Sequence, residues 1–215
     1  MDTLKELDSE LPLVSIGLPT YNRPIKLKQT IECLVNQEYS NIEIIISNNN
    51  SSNPEVEKIL TDSGKRYSNL RVFHQERNIG PIENYKFVLS KAKGKYFMWA
   101  ADDDLFEPNY VSSCIEYLEK NSDCILCTSN TVQYINDSKV EKTKYSCKTM
   151  GINQLSRIKY TISHTRKSCF AIYGLIRSDI LRKCRFSTFI GGDALIIIQL
   201  ASFGEFNQLN LDSYK

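Results

Sequence analysis

The chain predicts an α/β fold, with a mostly parallel central sheet and helices on both faces. Three observations predict it. Strand-like and helix-like segments alternate through the first 120 residues, the strand segments are nearly continuous apolar runs, and four of them end in polar loops. Strands buried on both faces lose the in-out alternation, and parallel neighbours need a crossover that is usually helical.

Each element has its own signal. Leu13–Leu18 reads as a strand closed by Pro19. Pro24 suits a helix start, and Leu27, Ile31, Leu34 and Val35 form one apolar stripe at helical spacing. Ile42–Ile46 is a second buried strand, followed by the polar loop Ser47–Asn53 and a short helix from Pro54. Leu70–Phe73 gives a third strand, and Asn78–Pro81 turns into a helix carrying Ile82, Tyr85, Val88 and Leu89. Tyr96–Ala101 is the fourth strand, and Pro108 opens a helix with Val111, Cys114, Ile115 and Leu118 on one face. Ligands of such open sheets bind beyond the carboxyl ends of the strands. Four polar segments fall there: Pro19–Asn22, Ser47–Asn50, Arg77–Gly80 and Asp102–Asp104.

The second half is less regular. Ile125–Ile135 reads as one or two strands, Asn136–Met150 as a lysine-rich loop and Asn153–Ser163 as a helix. Phe170–Ile176 reads as a strand and Ser178 as the cap of a short helix. A loop over Phe186–Gly192 then leads into a final apolar helix, Asp193–Ser202, stopped by Gly204.

Composition narrows the function classes. A chain of 215 residues with 41% hydrophobic and 24% charged residues can bury one full core. The net charge of +2 implies no nucleic-acid partner, although Lys and Arg outnumber Asp and Glu between Lys139 and Arg185. Seven cysteines without framework spacing fit a reducing compartment, and the lone pair Cys124 and Cys127 reads as buried thiols rather than a zinc or redox site. The polar, acidic start predicts no signal peptide, and no apolar run reaches membrane-spanning length, so any membrane contact is expected to be peripheral.

The most informative junction is the apolar run Tyr96–Ala101 passing directly into Asp102, Asp103 and Asp104. Three adjacent carboxylates repel one another, and a divalent cation relieves that repulsion while keeping positions open for substrate phosphates. The triplet points to a metal-dependent enzyme acting on a phosphorylated substrate; the alternative is a solvated acidic turn. His74 and His164 have no partner at metal-ligand spacing. Nucleophile-elbow, P-loop and dinucleotide-binding glycine patterns are missing.

Five segments in order, Val14–Arg23, Ile44–Ser52, Arg77–Gly80 with Asn84 and Tyr85, Asp102–Pro108, and Gly192–Asp193 with Leu200 and Gly204, resemble the family 2 glycosyltransferases. The resemblance covers most of residues 12–205 and implies the type A nucleotide-sugar transferase fold. It implies an N-terminal segment 1–11 and a single domain 12–215, with a nucleotide-binding half at 12–120 and an acceptor-side half at 121–215. It also implies an inverting enzyme moving a sugar from a nucleoside diphosphate sugar to a hydroxyl acceptor. The acceptor would be a growing cell-surface glycan or its lipid-linked precursor, used at the cytoplasmic membrane face.

Site residues carry over position by position. Pro19 and Thr20 would shape the loop that meets the base, and Tyr21 would stack on it; the alternative for Tyr21 is a packed surface aromatic. Asn48 stands where the family has an aspartate, which leaves the preference for uracil open, and it reads equally well as a turn residue. Arg77 resembles the basic residue that meets the diphosphate or base edge, its alternative being an ion pair with Glu76 or Glu83. Asp102 would serve the ribose or nucleotide, and Asp103 with Asp104 would hold Mn2+ or Mg2+. Asp193 resembles the catalytic base, its alternative being the N-cap of the last helix; Gly192 stands where the family has another acid. Two rival readings are a sugar-phosphate nucleotidyltransferase, whose glycine- and arginine-rich first loop is missing here, and a non-catalytic nucleotide- or glycan-binding module.

Overall fold

A computed structural model describes residues 11–135, 138–142, 146–187 and 191–214. The N-terminal segment 1–11 therefore lies almost wholly outside the described residues, as do parts of the expected loops 136–150 and 186–192. The chain divides between Leu105 and Phe106 into two compact units.

The first unit is a run of β-α-β crossovers: β1 (Val14–Thr20), α1 (Pro24–Val35), β2 (Ile42–Asn48), α2 (Pro54–Arg66), β3 (Leu70–His74), α3 (Pro81–Lys91) and β4 (Tyr96–Trp99). Its strands lie in the order β3-β2-β1-β4 and all neighbours are parallel, with Val14 opposite both Ile42 and Tyr96. β1 is buried along its whole length, and Ile44, Ile45 and Ile46 of β2 are fully buried, so continuous apolar runs mark strands covered on both faces. Each of the three helices starts with proline at its first turn, where the missing N–H costs nothing. Gly94 sits where the chain enters β4: a Cβ there would meet Leu13 O, Ser15 N and Tyr96 O at 2.6–2.7 Å. Below it, the Ser15 hydroxyl donates to Glu43 and accepts from the Gly94 N–H, closing the amino-end edge of the sheet.

The second unit contains α4 (Tyr110–Lys120), β5 (Cys124–Ile135), β6 (Ser138–Lys142), α5 (Gln154–Thr165), β7 (Leu175–Arg177), α6 (Ser178–Leu181), α7 (Gly192–Phe203) and β8 (Glu205–Tyr214). Here β5 is the hub: β8 runs parallel to it, while β6 and β7 run antiparallel.

Several expectations are corrected here. The helix after Pro108 begins at Tyr110, and the fourth strand stops at Trp99. Phe170–Ile176 is not one strand: Phe170–Tyr173 forms a 3-10 turn and only Leu175–Arg177 is extended. The adjacent residues Ala171 and Ile172 are both buried, which a half-exposed strand would not allow. Ser178 opens α6 but does not cap it; Arg177 holds the cap position and the Ser178 hydroxyl is buried with no hydrogen-bond partner among the described residues. Strand β8 was not expected at all, because it carries polar residues inward: Asn207 and Ser213 are buried. Cys114, Cys124 and Cys127 are buried free thiols, in line with the sequence.

Candidate functional site

The chemistry-bearing residues of the first unit gather where β1, β2 and β4 end. Asp102 is buried just past β4. Its Oδ2 accepts from Thr20 Oγ1 at 2.8 Å and from the Tyr21 N–H at 3.3 Å, and its Oδ1 accepts from Arg23 Nη1 at 3.3 Å. Burial raises the Asp102 carboxyl above the ordinary carboxylate range, and the Thr20 hydroxyl, the Arg23 charge and the Tyr21 N–H pull it back down. This carboxylate ties the β1 loop to the end of β4.

Arg23 reaches further. The same Nη1 donates to Asp103 Oδ2 at 2.7 Å, so one guanidinium bridges two adjacent carboxylates. Asp104 turns inward: its Oδ2 accepts from the Ala101 N–H at 3.3 Å and its carbonyl accepts from Thr30 Oγ1 at 2.9 Å. The triplet is thus divided into a buried brace, an exposed carboxylate and a half-buried one. Sequence reasoning missed Arg23. Its signal was a lone cation three residues past a strand, facing an acidic loop at the same sheet edge.

The neighbouring loops are held by amide side chains. Asn48 Oδ1 accepts from the Ser51 N–H at 2.9 Å, which is the turn geometry offered as its alternative role. Its amide nitrogen makes no hydrogen bond with any described residue, and Asn48 lies in register with Thr20. Asn49 donates to Asn78 Oδ1 at 3.0 Å and accepts from the Ile79 N–H at 2.8 Å, which ties the β2 loop to the turn before α3. Ser47 donates to Asn84 Oδ1 at 2.6 Å, while Asn84 Nδ2 returns a bond to the Ser47 carbonyl at 3.0 Å. Tyr21 is exposed beside this frame. Pro19, inside β1, is buried. Arg77 is exposed and makes no ion pair with a described residue; Glu83 pairs instead with Lys86. A separate groove of 670 Å³ between α1 and α2 contains none of these residues.

A divalent cation fits part of this arrangement. Among the described residues no group of three or more His, Cys, Asp or Glu is arranged to hold a metal ion. Asp103 and Asp104 nevertheless offer hard oxygens, and the Arg23 guanidinium shows that positive charge is favourable beside Asp102 and Asp103. One or two carboxylates, completed by water and substrate phosphates, is the usual protein share of a magnesium-type site.

Asp193 belongs to the second unit. It is exposed in the first turn of α7, and its Oδ1 accepts from the Ala194 N–H at 2.8 Å. The cap position is Gly191, at φ 91°, a left-handed conformation that glycine enters without strain. Asp193 is therefore not the N-cap, and that alternative is corrected. Burial first, and then the neighbouring Asp193 carboxylate, push the Cys169 thiol up to about 11.

The sequence profile described as Glycosyl transferase family 2 matches residues 15–185. The chain belongs to this family. An uncharacterized glycosyltransferase of Rickettsia bellii is 36% identical over 130 residues, which is 60% of this chain and 18% of that protein. An uncharacterized glycosyltransferase of Methanocaldococcus jannaschii is 31% identical over 123 residues, 57% of this chain and 42% of its own length. The chain thus spans less than half of these curated relatives. Among solved structures, Staphylococcus aureus TarS residues 1–349 in complex with UDP-GlcNAc superposes with a TM-score of 0.75 at 17% identity, over 94% of this chain and 57% of that one. The Pyrobaculum calidifontis mannosyltransferase PcManGT, in complex with GDP-Man and Mn2+, gives a TM-score of 0.67 at 13% identity, over 94% and 56%. At these identities the superpositions show the fold, which is the type A glycosyltransferase fold.

Proposed function

We propose that this chain carries the core of an inverting, metal-dependent glycosyltransferase that moves one sugar from a nucleoside diphosphate sugar to a hydroxyl acceptor. The observation that carries the reading is the braced acidic edge: buried Asp102 tied to Thr20 and Tyr21, with Arg23 bridging Asp102 and Asp103. Relatives of the same fold hold UDP-GlcNAc or GDP-Man with Mn2+. We take the acceptor to be a glycan or lipid-linked glycan of the cell surface, met from the cytoplasm at the inner face of the membrane.

In this reading Tyr21 stacks on the base, and the open amide nitrogen of Asn48 donates to a base carbonyl. Arg77 and Arg23 receive negative charge from the diphosphate. A divalent cation, Mn2+ or Mg2+, held by Asp103 and Asp104, would neutralise charge on the departing diphosphate. Asp193 takes the proton of the acceptor hydroxyl as the new glycosidic bond forms and the bond between the anomeric carbon and the phosphate breaks. Attack on the face opposite the leaving group inverts the anomeric configuration.

The test is a panel of nucleotide sugars screened by thermal shift, then by transfer, with Mn2+ or EDTA. A bound donor raises the melting temperature with its occupancy. Asp103→Ala is expected to lose the manganese-dependent part of nucleotide binding; unchanged affinity in manganese refutes its role. Asp193→Asn is expected to keep donor binding and lose about 10²- to 10⁴-fold in transfer, the usual share of a general base. An active variant removes it from the chemistry. One observation favours a second reading, a binding module without turnover: Asn48 replaces an expected acid and is partly spent on a turn. Donor hydrolysis or transfer by the wild type excludes it.

A further inference from the structure

Helix α5 is built inside out. Its buried side carries Arg157 and Thr161, while Leu155 and Ile162 are 63% and 41% exposed. The inward polarity has a cause. Arg157 Nε donates to the Ala201 carbonyl at 2.6 Å and Gln154 Nε2 to the Ser202 carbonyl at 2.7 Å. These are among the last carbonyls of α7, which have no partner within their own helix. Once the polar side is committed to capping α7, the apolar side faces water. Nothing in that capping requires the exposed positions to be apolar.

Those positions follow a pattern. Leu155, Lys159, Ile162 and Arg166 fall at helical intervals of four, three and four, so apolar and cationic side chains alternate along one outward stripe. Lys159 and Arg166 are exposed, and neither pairs with an acid among the described residues. On the adjoining α7, Leu195 and Phe203 are also exposed, at 42% and 47%. The surrounding sequence is basic as well. Between Ile152 and Ser187 there are eight Lys and Arg and a single acid, Asp179, whereas in the rest of the chain acids outnumber bases 24 to 19. Of the eight, Arg157 is buried in the capping contact and Arg177 donates to the Cys124, Leu118 and Asn121 carbonyls, which leaves six.

We propose that this face of the second unit docks on an anionic phospholipid bilayer. A soluble polyanion would satisfy the cations and leave Leu155 and Ile162 in water. A bilayer interface accepts both, the cations at the head groups and the apolar side chains at the acyl boundary. The surface gives structural form to the membrane contact in the proposed function. Its test uses neither donor nor acceptor, so it fails or succeeds separately from the transferase reading.

The experiment is co-sedimentation of the full chain with vesicles of phosphatidylcholine alone or with one quarter phosphatidylglycerol. Binding is expected only to the anionic vesicles and is expected to fall in high salt. Lys159→Gln with Arg166→Gln should weaken it about 25-fold, two basic contacts near a charged surface. Leu155→Ser with Ile162→Ser should weaken it by about tenfold or more. An unchanged melting temperature shows that both variants fold, and Leu155→Trp should blue-shift its emission on anionic vesicles. Equal binding to neutral vesicles, no binding, or variants that sediment like wild type would overturn the proposal. So would loss on removing the charges with no loss on removing the apolar pair, which marks a polyanion surface. A concentration-dependent dimer abolished by the serine variant, without vesicle binding, would assign the face to a second copy of the chain.

Discussion

The two compact units bury polarity in opposite ways. In the first, most buried polar side chains collect at the ends of strands: Ser15 at the amino end of the sheet, and Thr20, Ser47, Asn48, Asn49 and Asp102 at or just past the carboxyl ends, while the buried Thr30 of α1 and Asn84 of α3 bond to those same strand ends and loops. In the second, polar groups enter the interior of the elements themselves, as with Arg157 and Thr161 in α5 and Asn207 in β8. The first unit keeps its sheet apolar and spends its hydrogen bonds on loops. The second needs polar side chains to satisfy irregular backbone, such as the end of α7. That difference explains why one half reads clearly in the sequence and the other does not.

The comparison can be broken at its strongest points. Gly94→Ala should have the largest effect on folding, because the added Cβ meets three backbone atoms that no rotamer change can move. A loss of about 3 kcal/mol is expected by urea unfolding. A tolerated alanine would show that the edge of the first unit is looser than its packing implies. Arg157→Met should follow at about 2 kcal/mol, since it leaves the Ala201 carbonyl without its charged donor. If the methionine variant were as stable as wild type, the inward polarity of α5 would have no structural purpose.

Thr161→Val tests the same region with the opposite sign. The Thr161 hydroxyl is buried and has no hydrogen-bond partner among the described residues, so replacing it with a methyl should stabilise the chain by about 1 kcal/mol. A destabilised valine variant would reveal a bond that threonine makes in solution.

At neutral pH the smallest effect is that of the buried thiols, which comes into play only in alkaline solution. Burial pushes the Cys124 and Cys147 thiols from an ordinary 9.0 up to about 12, and a hydrogen bond with Cys114, followed by burial, pushes the Cys127 thiol well up too. In the unfolded chain these thiols ionise near 9, while in the folded chain they stay protonated. Stability should therefore be unaffected below pH 9 and decline between pH 9 and 12. Urea midpoints across that range check it. Iodoacetamide at pH 8 should leave the buried thiols of the native chain unmodified, since the thiolate is the reactive form.

Much of the candidate site was legible because its residues are local to recognisable strand ends. Thr20, Tyr21, Asn48 and Asp102 each follow an apolar run, so the topology of a parallel sheet brings them to one edge. Arg23 was not legible, because its importance comes from a contact across 79 residues. The buried state of Asp102 was hidden for the same reason: sequence shows three equivalent acids, and only packing separates brace from exposed carboxylate. In the second half, Phe170–Ile176 has the composition of a strand, yet burial of the adjacent Ala171 and Ile172 favours a tight turn.

The sequence by itself determined the alternation of strands and helices, the parallel character of the first unit's sheet and the family to which the chain belongs. The first two rest on apolar periodicity and proline placement, and the family rests on the resemblance of five short segments in order; all of these act over a few residues and survive in one dimension. Only the tertiary structure decided how the acidic triplet divides its labour, why α5 turns its charged residue inward, and which side chains are left facing water. Such outcomes depend on which distant backbone groups still lack a hydrogen bond once the chain has collapsed, and no local pattern encodes that shortage.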